Sequence, residues 1–533
     1  MRRTRRYAAL FALLCIACVA AGVYFVLVHG RNVRRLTVEL VLPSGLSELA
    51  ASTGAPELPE ASPPDPAPLA DSPVPTIVTM GDAFPVSANP APEPPSGTIA
   101  YADAAPPPRE ADSPVIAALP TAPPPPDSSV APDPPAAAGP GTVFRLPSAA
   151  PGETRRGGLT ILQIGDSHTA ADFFTGEVRQ ILQARYGDGG FGYLNAGRPH
   201  PGVRSAVVKV NASPGWTYAA LQKTSDADQF YLSGFNASVT GSGESLAFAA
   251  TQPAPFDMIE VEAVFGPGRG GVSIAIDDLP PVVRGLEGAR TEKRVFRVTP
   301  SQGAPYDFHK LTITSTGGGP VTIASVGVFN RSYGVSYSAI GFPGATIDIV
   351  NQLNSRLFGE ELRRLDPQLV VLAFGTNEGF NDNLDVGKYS ERYRIVLKKI
   401  RDSLPRARVV IVAPPNANRL PGRCKGEGAS ASCRAKGGED QGCFWSTPPQ
   451  LDKVRDVQRQ IAKQDSLLYW NWGEIAPGEC GAHSLVNASP RLMTPDHVHF
   501  TGDGYKAGAR AFTKFLMPVI EQMRLRDDAV SNR

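Results

Sequence analysis

Ser167, Asn377, Asp496 and His499 are the residues on which chemistry can be built. Ser167 stands in Gly165-Asp166-Ser167-His168, directly after the apolar run Leu159–Ile164. Behind it, Thr175–Tyr186 carries Val178, Ile181, Leu182 and Tyr186 at helical spacing. Strand, tight turn, serine and helix present a hydroxyl at the carboxyl edge of a sheet. A serine in that place also serves as an ordinary helix N-cap. As a nucleophile it needs a base for its proton, a group to orient that base, and donors aimed at the oxyanion. Asp496 and His499, in Thr494-Pro495-Asp496-His497-Val498-His499-Phe500, are three residues apart. In a turn or helix start that spacing puts both on one side, so Asp496 would hold the imidazole toward Ser167. Asn377, in Gly375-Thr376-Asn377-Glu378, either offers an amide to a cleft or caps a turn. Gly344, in Phe342-Pro343-Gly344-Ala345, either offers its N–H or is only a turn glycine. With the Ser167 N–H, Gly344 and Asn377 would supply three oxyanion donors.

The elements that must position these residues follow from periodicity. Leu369–Phe374 is a continuous apolar run, the mark of a parallel strand buried on both faces. Val409–Ala413, stopped by Pro414-Pro415, and Leu467–Trp470 read as further strands. Ile347–Leu365, Tyr389–Leu404, Leu451–Ile461 and Tyr505–Leu525 read as helices, the last kinked at Pro518. This alternation predicts an α/β fold, a doubly wound parallel sheet with right-handed crossovers, over 157–202 and 332–525. Helical spacing disappears between the two parts. Short alternating runs at Met258–Phe265, Val272–Ile276, Lys293–Val298, His309–Ser315 and Val321–Val328 predict a β-sandwich inserted over 203–331.

Other groups carry weaker signals. His497 and His499 form an H-x-H, but no carboxylate or cysteine cluster accompanies them, so neither a metal nor an organic cofactor is expected. His497 is expected to face solvent. Gly187–Arg198 lacks the spacing of a phosphate-binding loop and reads as a loop at the rim of a cleft. Trp216, Tyr218 and Tyr231 either pack in the sandwich core or stack on sugars. His200, His309 and His483 show no partner in the sequence.

The chain has 533 residues, with 52 basic against 51 acidic side chains and a formal net charge of +1. That balance gives no reason to expect nucleic acid as a partner. Four arginines in Met1–Arg6 precede 22 uncharged residues, Tyr7–Val28. At ~1.5 Å per residue they span roughly 33 Å, enough to cross a bilayer. An uncleaved transmembrane anchor over 7–28 is therefore expected, with Ala17-Cys18 leaving a lipoprotein-like alternative. A proline-rich stretch, 52–152, reads as a disordered linker. Cys424, Cys433, Cys443 and Cys480 are widely spaced and suit up to two disulfides, in any of three connectivities. Linker and cysteines together point to an inner-membrane anchor with the folded part outside the cytoplasm, in the periplasm.

Gly165-Asp166-Ser167, Gly344, Gly375-x-Asn377 and Asp496-x-x-His499 occur in the order of the SGNH/GDSL hydrolase blocks, which this chain resembles. Ile164–Gly192, Gly375–Glu378, Trp470–Gly473 and Asp496–Thr501 with Gly504-Tyr505 resemble, more finely, periplasmic peptidoglycan O-acetylesterase-like proteins. Members of that group can carry a carbohydrate-binding-like β-sandwich in the position of 203–331. The resemblance implies Ser167 as nucleophile, His499 as general base and then acid, and Asp496 as its orienter. It implies Ser167 N–H, Gly344 N–H and Asn377 as the oxyanion hole. The expected activity is a serine esterase removing O-acetyl groups from a glycan, peptidoglycan first, through an acetyl-enzyme. An exopolysaccharide deacetylase or acetyltransferase on the same scaffold, or a non-catalytic wall-binding protein, are the other readings. His168 stands where the basic GDSL pattern has leucine, and its role is open.

Overall fold

β1 (Leu159–Gly165) is buried along its whole length, and the rest of the α/β part is arranged about it. In the computed structural model, residues 36–41, 158–224, 230–300, 306–427, 431–434 and 442–531 are described. The apolar run 7–28 and the proline-rich stretch 52–152 lie outside them. Among the described residues no helix is long and apolar enough to cross a membrane.

β1 is flanked by β2 (Val335–Gly341) and β3 (Leu369–Ala373), followed by β4 (Arg408–Ala413) and β5 (Leu468–Asn471). All pair in parallel, in the order β2-β1-β3-β4-β5. The chain first steps from β1 to β2 on one side, then to β3 on the other. The crevice beyond the carboxyl ends of β1 and β3 is thus a topological switch point, where open α/β sheets bind ligands.

The strands are apolar at nearly every position because both faces are covered and side chains alternate between them. Leu162, Ile164, Val370, Leu372, Val409 and Ile411 point to one face. Leu159, Ile161, Leu369, Val371, Val410 and Val412 point to the other. The sequence Ser167–Tyr186 forms two helices, α1 (Ser167–Ala170) and α2 (Phe173–Tyr186). The helix expected over 347–365 is divided into α3 (Asp348–Gln352) and α4 (Ser355–Leu365). Asn354 causes the break: its side chain accepts the Arg356 and Leu357 N–H groups and starts a new helix. After it come α5 (Thr376–Gly379), α6 (Val386–Ser403), α7 (Leu451–Gln464), α8 (Gly481–Val486) and α9 (Gly502–Ser531), which runs past Pro518. Helices α2 and α9 cover the second face through Phe174, Val178, Leu182, Phe512 and Leu516.

The region 203–331 folds as antiparallel strands in two sheets that share one core, including Phe248, Ile259, Val261, Phe296 and Phe308. Two strands come from outside it. Gly192–Asn195 pairs with Val321–Phe329, so the centre of the glycine-rich stretch is a strand and not a free loop. Leu36–Val41 pairs with Glu292–Pro300 in register from Leu36↔Pro300 to Val41↔Val295. In both places backbone groups are satisfied by a sheet edge, which hydropathy alone does not announce. The joint with the α/β part is apolar, with Phe235 stacked on Phe342 at 5.9 Å.

Candidate active site

Three neighbouring strands end level, since Gly341 of β2 and Ala373 of β3 both stand opposite Gly165 of β1. Their following loops, holding Ser167, Gly344 and Asn377, therefore leave from one edge. Space dictates Gly165: a Cβ there would lie 2.2 Å from Thr169 Oγ1 and 2.6 Å from the Ala373 carbonyl oxygen. The chain turns at once into α1. Asp166 caps that helix by accepting the His168 N–H at 3.0 Å, so Ser167 is its first residue and not its cap. Gln163 anchors α1 to the sheet. Its Nε2 donates to Thr169 Oγ1 at 2.8 Å, and the Tyr337 hydroxyl donates to its Oε1 at 2.5 Å.

The loop 494–500 returns to the same edge. Ser167 Oγ lies 3.0 Å from His499 Nε2, and His499 Nδ1 lies 2.7 Å from Asp496 Oδ2. Asp496 is itself held, with Oδ1 accepting from Thr494 Oγ1 at 2.6 Å and from the N–H groups of Val498 and His499 at 2.9 Å each. The side chains of His499 and Asp496 are 35% and 37% exposed, so water and a substrate can reach them. Burial pulls the His499 pKa down, but the hydrogen bond and charge of Asp496 outweigh it and hold the imidazole above its ordinary value. Burial likewise opposes ionisation of Asp496, yet its bonds from His499 and Thr494 keep it well below the usual carboxylate range. A hydroxyl, an imidazole and an ionised carboxylate in series can activate the hydroxyl as a nucleophile.

His168 is buried against this chain. Its ring lies 5.4 Å from those of His499 and Trp472, and its Nδ1 meets the Tyr505 hydroxyl at 3.0 Å. Burial, with the neighbouring His499 adding to it, pushes its pKa down to about 3. It is therefore a neutral spacer behind the His499 imidazole. Trp472 fills the gap beneath, stacked on Phe500 at 5.3 Å and 4.4 Å from Phe174.

His497 does not face solvent. It is 3% exposed, stacked 3.6 Å from Trp445, and its Nε2 lies 2.9 Å from His483 Nδ1. Its φ of 60° turns the side chain away from that of His499 and into the fold. Among the described residues no His, Cys, Asp or Glu group is placed to hold a metal.

Gly344 sits in a tight turn in which the Ala345 N–H donates to the Phe342 carbonyl at 3.1 Å. Proline at the second position and a positive φ of 74° at Gly344 are the pattern of a type II turn. The glycine is there for conformation and not for room, since nothing lies within 4 Å of a Cβ added to it. Asn377 lies in α5, and its Nδ2 donates to the Ala345 carbonyl at 2.8 Å, with one amide hydrogen left over. No hydrogen bond among the described residues joins Gly344 or Asn377 to Ser167. Beside Gly344 an open groove is lined by Leu221, Gln222 and Thr224 from one side and Thr346, Ile349 and Gln352 from the other.

One feature beside the site, the Asp172–Arg179 pair, has no sequence signature. Asp172, with φ 53°, joins α1 to α2 and takes hydrogen bonds from Thr175 Oγ1, Arg179 and the Ala206 N–H. Arg179 then reaches the Tyr337 carbonyl of β2 at 2.9 Å, so a buried ion pair braces the joint of α1 and α2 against the sheet. Trp216 is buried in the sandwich core, and the Tyr231 ring takes the Lys293 ammonium at 3.1 Å. The cysteines form Cys424–Cys443 and Cys433–Cys480.

Residues 315–507 match the model of the GDSL-like lipase/acylhydrolase family. The chain carries a hydrolase domain of the SGNH/GDSL family, and it is an esterase of that type. The matched stretch holds Gly344, Asn377, Asp496 and His499, while Ser167 lies upstream, beyond the antiparallel sheets. Among solved structures, a peptidoglycan O-acetylesterase is 27% identical, with a TM-score of 0.54 over 68% of this chain and 92% of that one. A family two carbohydrate esterase from Cellvibrio japonicus is more distant, 12% identical with a TM-score of 0.24, over 59% of this chain and 99% of that one. No curated protein matches the chain.

Proposed function

We propose that this protein is an O-acetylesterase of the cell envelope, with O-acetylated peptidoglycan as its first substrate. The observation that carries the reading is the chain Ser167 Oγ–His499 Nε2–His499 Nδ1–Asp496 Oδ2, at 3.0 and 2.7 Å, at the switch point of the sheet. The likeness to a peptidoglycan O-acetylesterase supports the substrate class. His499 takes the Ser167 proton as Oγ attacks the acetyl carbonyl carbon. The tetrahedral oxyanion is received by the N–H groups of Ser167 and Gly344 and by the free amide hydrogen of Asn377. Collapse expels the glycan hydroxyl, protonated by His499, and leaves acetyl-Ser167. Water deprotonated by His499 then releases acetate. Neither metal nor organic cofactor enters these steps.

The apolar span 7–28 and the two disulfides support an anchored protein with its catalytic part in the periplasm. The test is release of acetate from O-acetylated peptidoglycan by the purified protein and by Ser167→Ala. Release by the parent and not by the variant is expected. Equal release by both sinks the nucleophile assignment. Binding without release by either favours a wall-binding role, and release only with a sugar acceptor favours acetyl transfer.

A further inference from the structure

Glu378 follows Asn377 and takes no part in the steps above, yet it is 2% exposed and bonded to Ile347, three residues past Gly344. We propose that Glu378 is the positioning residue of the oxyanion hole, holding the Gly344 turn through the Ile347 N–H. The proposal rests on the reading of Gly344 and Asn377 as oxyanion donors.

The turn needs an external hold. Gly344 is exposed, carries no side chain, and has nothing packed around its Cβ position. Before it, Phe342 is buried and its N–H donates to the Gly165 carbonyl at 2.9 Å. After it, two consecutive residues of α5 supply the hold. Asn377 Nδ2 donates to the Ala345 carbonyl at 2.8 Å, and Glu378 Oε1 accepts the Ile347 N–H at 2.8 Å. The segment carrying one donor is therefore clamped by the element carrying another. A shift of the turn would move the Gly344 N–H away from the oxyanion, and such displacements cost catalysis steeply.

The surroundings suit a neutral acceptor. Glu378 Oε2 is buried without a hydrogen-bond partner. Asp166 and Asp348 act on the carboxyl electrostatically, and Tyr389 and Tyr393 face it from α6. Burial, reinforced by the two aspartates and opposed by the Ile347 N–H, pushes its pKa up to about 8. At neutral pH the group accepts the hydrogen bond without setting a negative charge under the site where one develops.

The test compares Glu378→Ala, Glu378→Gln and Asn377→Ala in the full chain, with a chromogenic aryl acetate as substrate and thermal midpoints alongside. Glu378→Ala should lower kcat by about 10- to 100-fold with KM within about twofold. Glu378→Gln, which keeps a neutral acceptor, should restore kcat to near the parent. If Glu378→Ala does not fold, Glu378→Asp, one methylene short of Ile347, should show the same kcat loss. An unchanged kcat in the shortened variants, or a glutamine variant as impaired as alanine, overturns the proposal. Loss in Asn377→Ala beside intact Glu378 variants overturns the Glu378 role and spares the oxyanion hole. No loss in Asn377→Ala overturns Asn377 as a donor, and the proposal with it.

Discussion

Ser167 Oγ and His499 Nε2 are 3.0 Å apart although 332 residues separate them in the chain. The hydrogen bond is set by two short loops at one sheet edge, and Asp496 completes it from the far side of the imidazole. Removal of any member leaves the others in place but breaks the proton path. Ser167→Ala and His499→Ala should each lower kcat by at least about 10³-fold, and Asp496→Asn by about 10²- to 10⁴-fold. Effects should not add in the double variant Ser167→Ala/His499→Ala, because the residues act as a unit. Steady-state kinetics on an aryl acetate checks this, and additive losses would separate the serine from the histidine.

The base must be neutral to accept the serine proton, and His499 is held above the ordinary histidine value by Asp496. Activity should therefore fall as pH drops through a value above about 6.5. Asp496→Asn removes the hydrogen bond and charge that raise it, so the acid limb should move to lower pH. His168, at about 3, does not titrate in this range, and His168→Gln should leave the limb where it is. A pH profile of kcat/KM decides between the two histidines. A limb that follows His168 would contradict the assignment.

Gly341 packs directly behind α1, the helix that begins with Ser167. A Cβ there would lie 2.1 Å from the Ala170 nitrogen and 2.3 Å from its Cα. The obstacle is backbone, so α1 itself must move. Gly341→Ala should cost about 1–3 kcal/mol of stability by overpacking. It should also lower kcat by about 10²-fold, since Ser167 rides on the displaced helix. Gly285→Ala, with nothing within 4 Å of the added carbon, is the control and should change neither. Equal behaviour of the two variants in denaturation and turnover would refute this.

Much of this arrangement was legible in the chain. Apolar runs gave β1, β3 and β4 because both faces of a parallel sheet are covered, and Ser167 and Asn377 each follow one. Asp496 and His499 were legible because three-residue spacing is a local property. Long-range partners were not. The solvated position expected for His497 failed because its left-handed φ and the ring of Trp445 draw it inward, and nothing in an H-x-H pattern reports either. The single helix expected over 347–365 failed because apolar spacing continues across Asn354 while its side chain competes for the backbone. Gly192–Asn195 read as loop because glycine hides a strand whose partner, Val321–Phe329, lies far along the chain.

The two disulfides should differ in their effect on catalysis. Cys424–Cys443 spans 19 residues and Cys433–Cys480 spans 47. By loop-closure entropy they stabilise by about 3 and about 4 kcal/mol. Cys433–Cys480 also ends at the N-cap of α8, the helix that carries His483. His483 Nδ1 meets His497 Nε2 at 2.9 Å, and the His483 N–H donates to Asn418 Oδ1 at 2.8 Å. Asn418 N–H in turn donates to the His497 carbonyl at 3.0 Å, so the bridge supports the loop that presents Asp496 and His499. The paired change Cys433→Ser/Cys480→Ser should lower both the denaturation midpoint and kcat. Cys424→Ser/Cys443→Ser should lower the midpoint and cost less kcat, because neither of its cysteines caps the helix that carries His483. The chain has six cysteines, so thiol titration of the unfolded, unreduced parent should find at most Cys15 and Cys18 free and none of these four. Reaction of these four thiols, or equal loss of kcat in both pairs, would sever the disulfide from the loop 494–500.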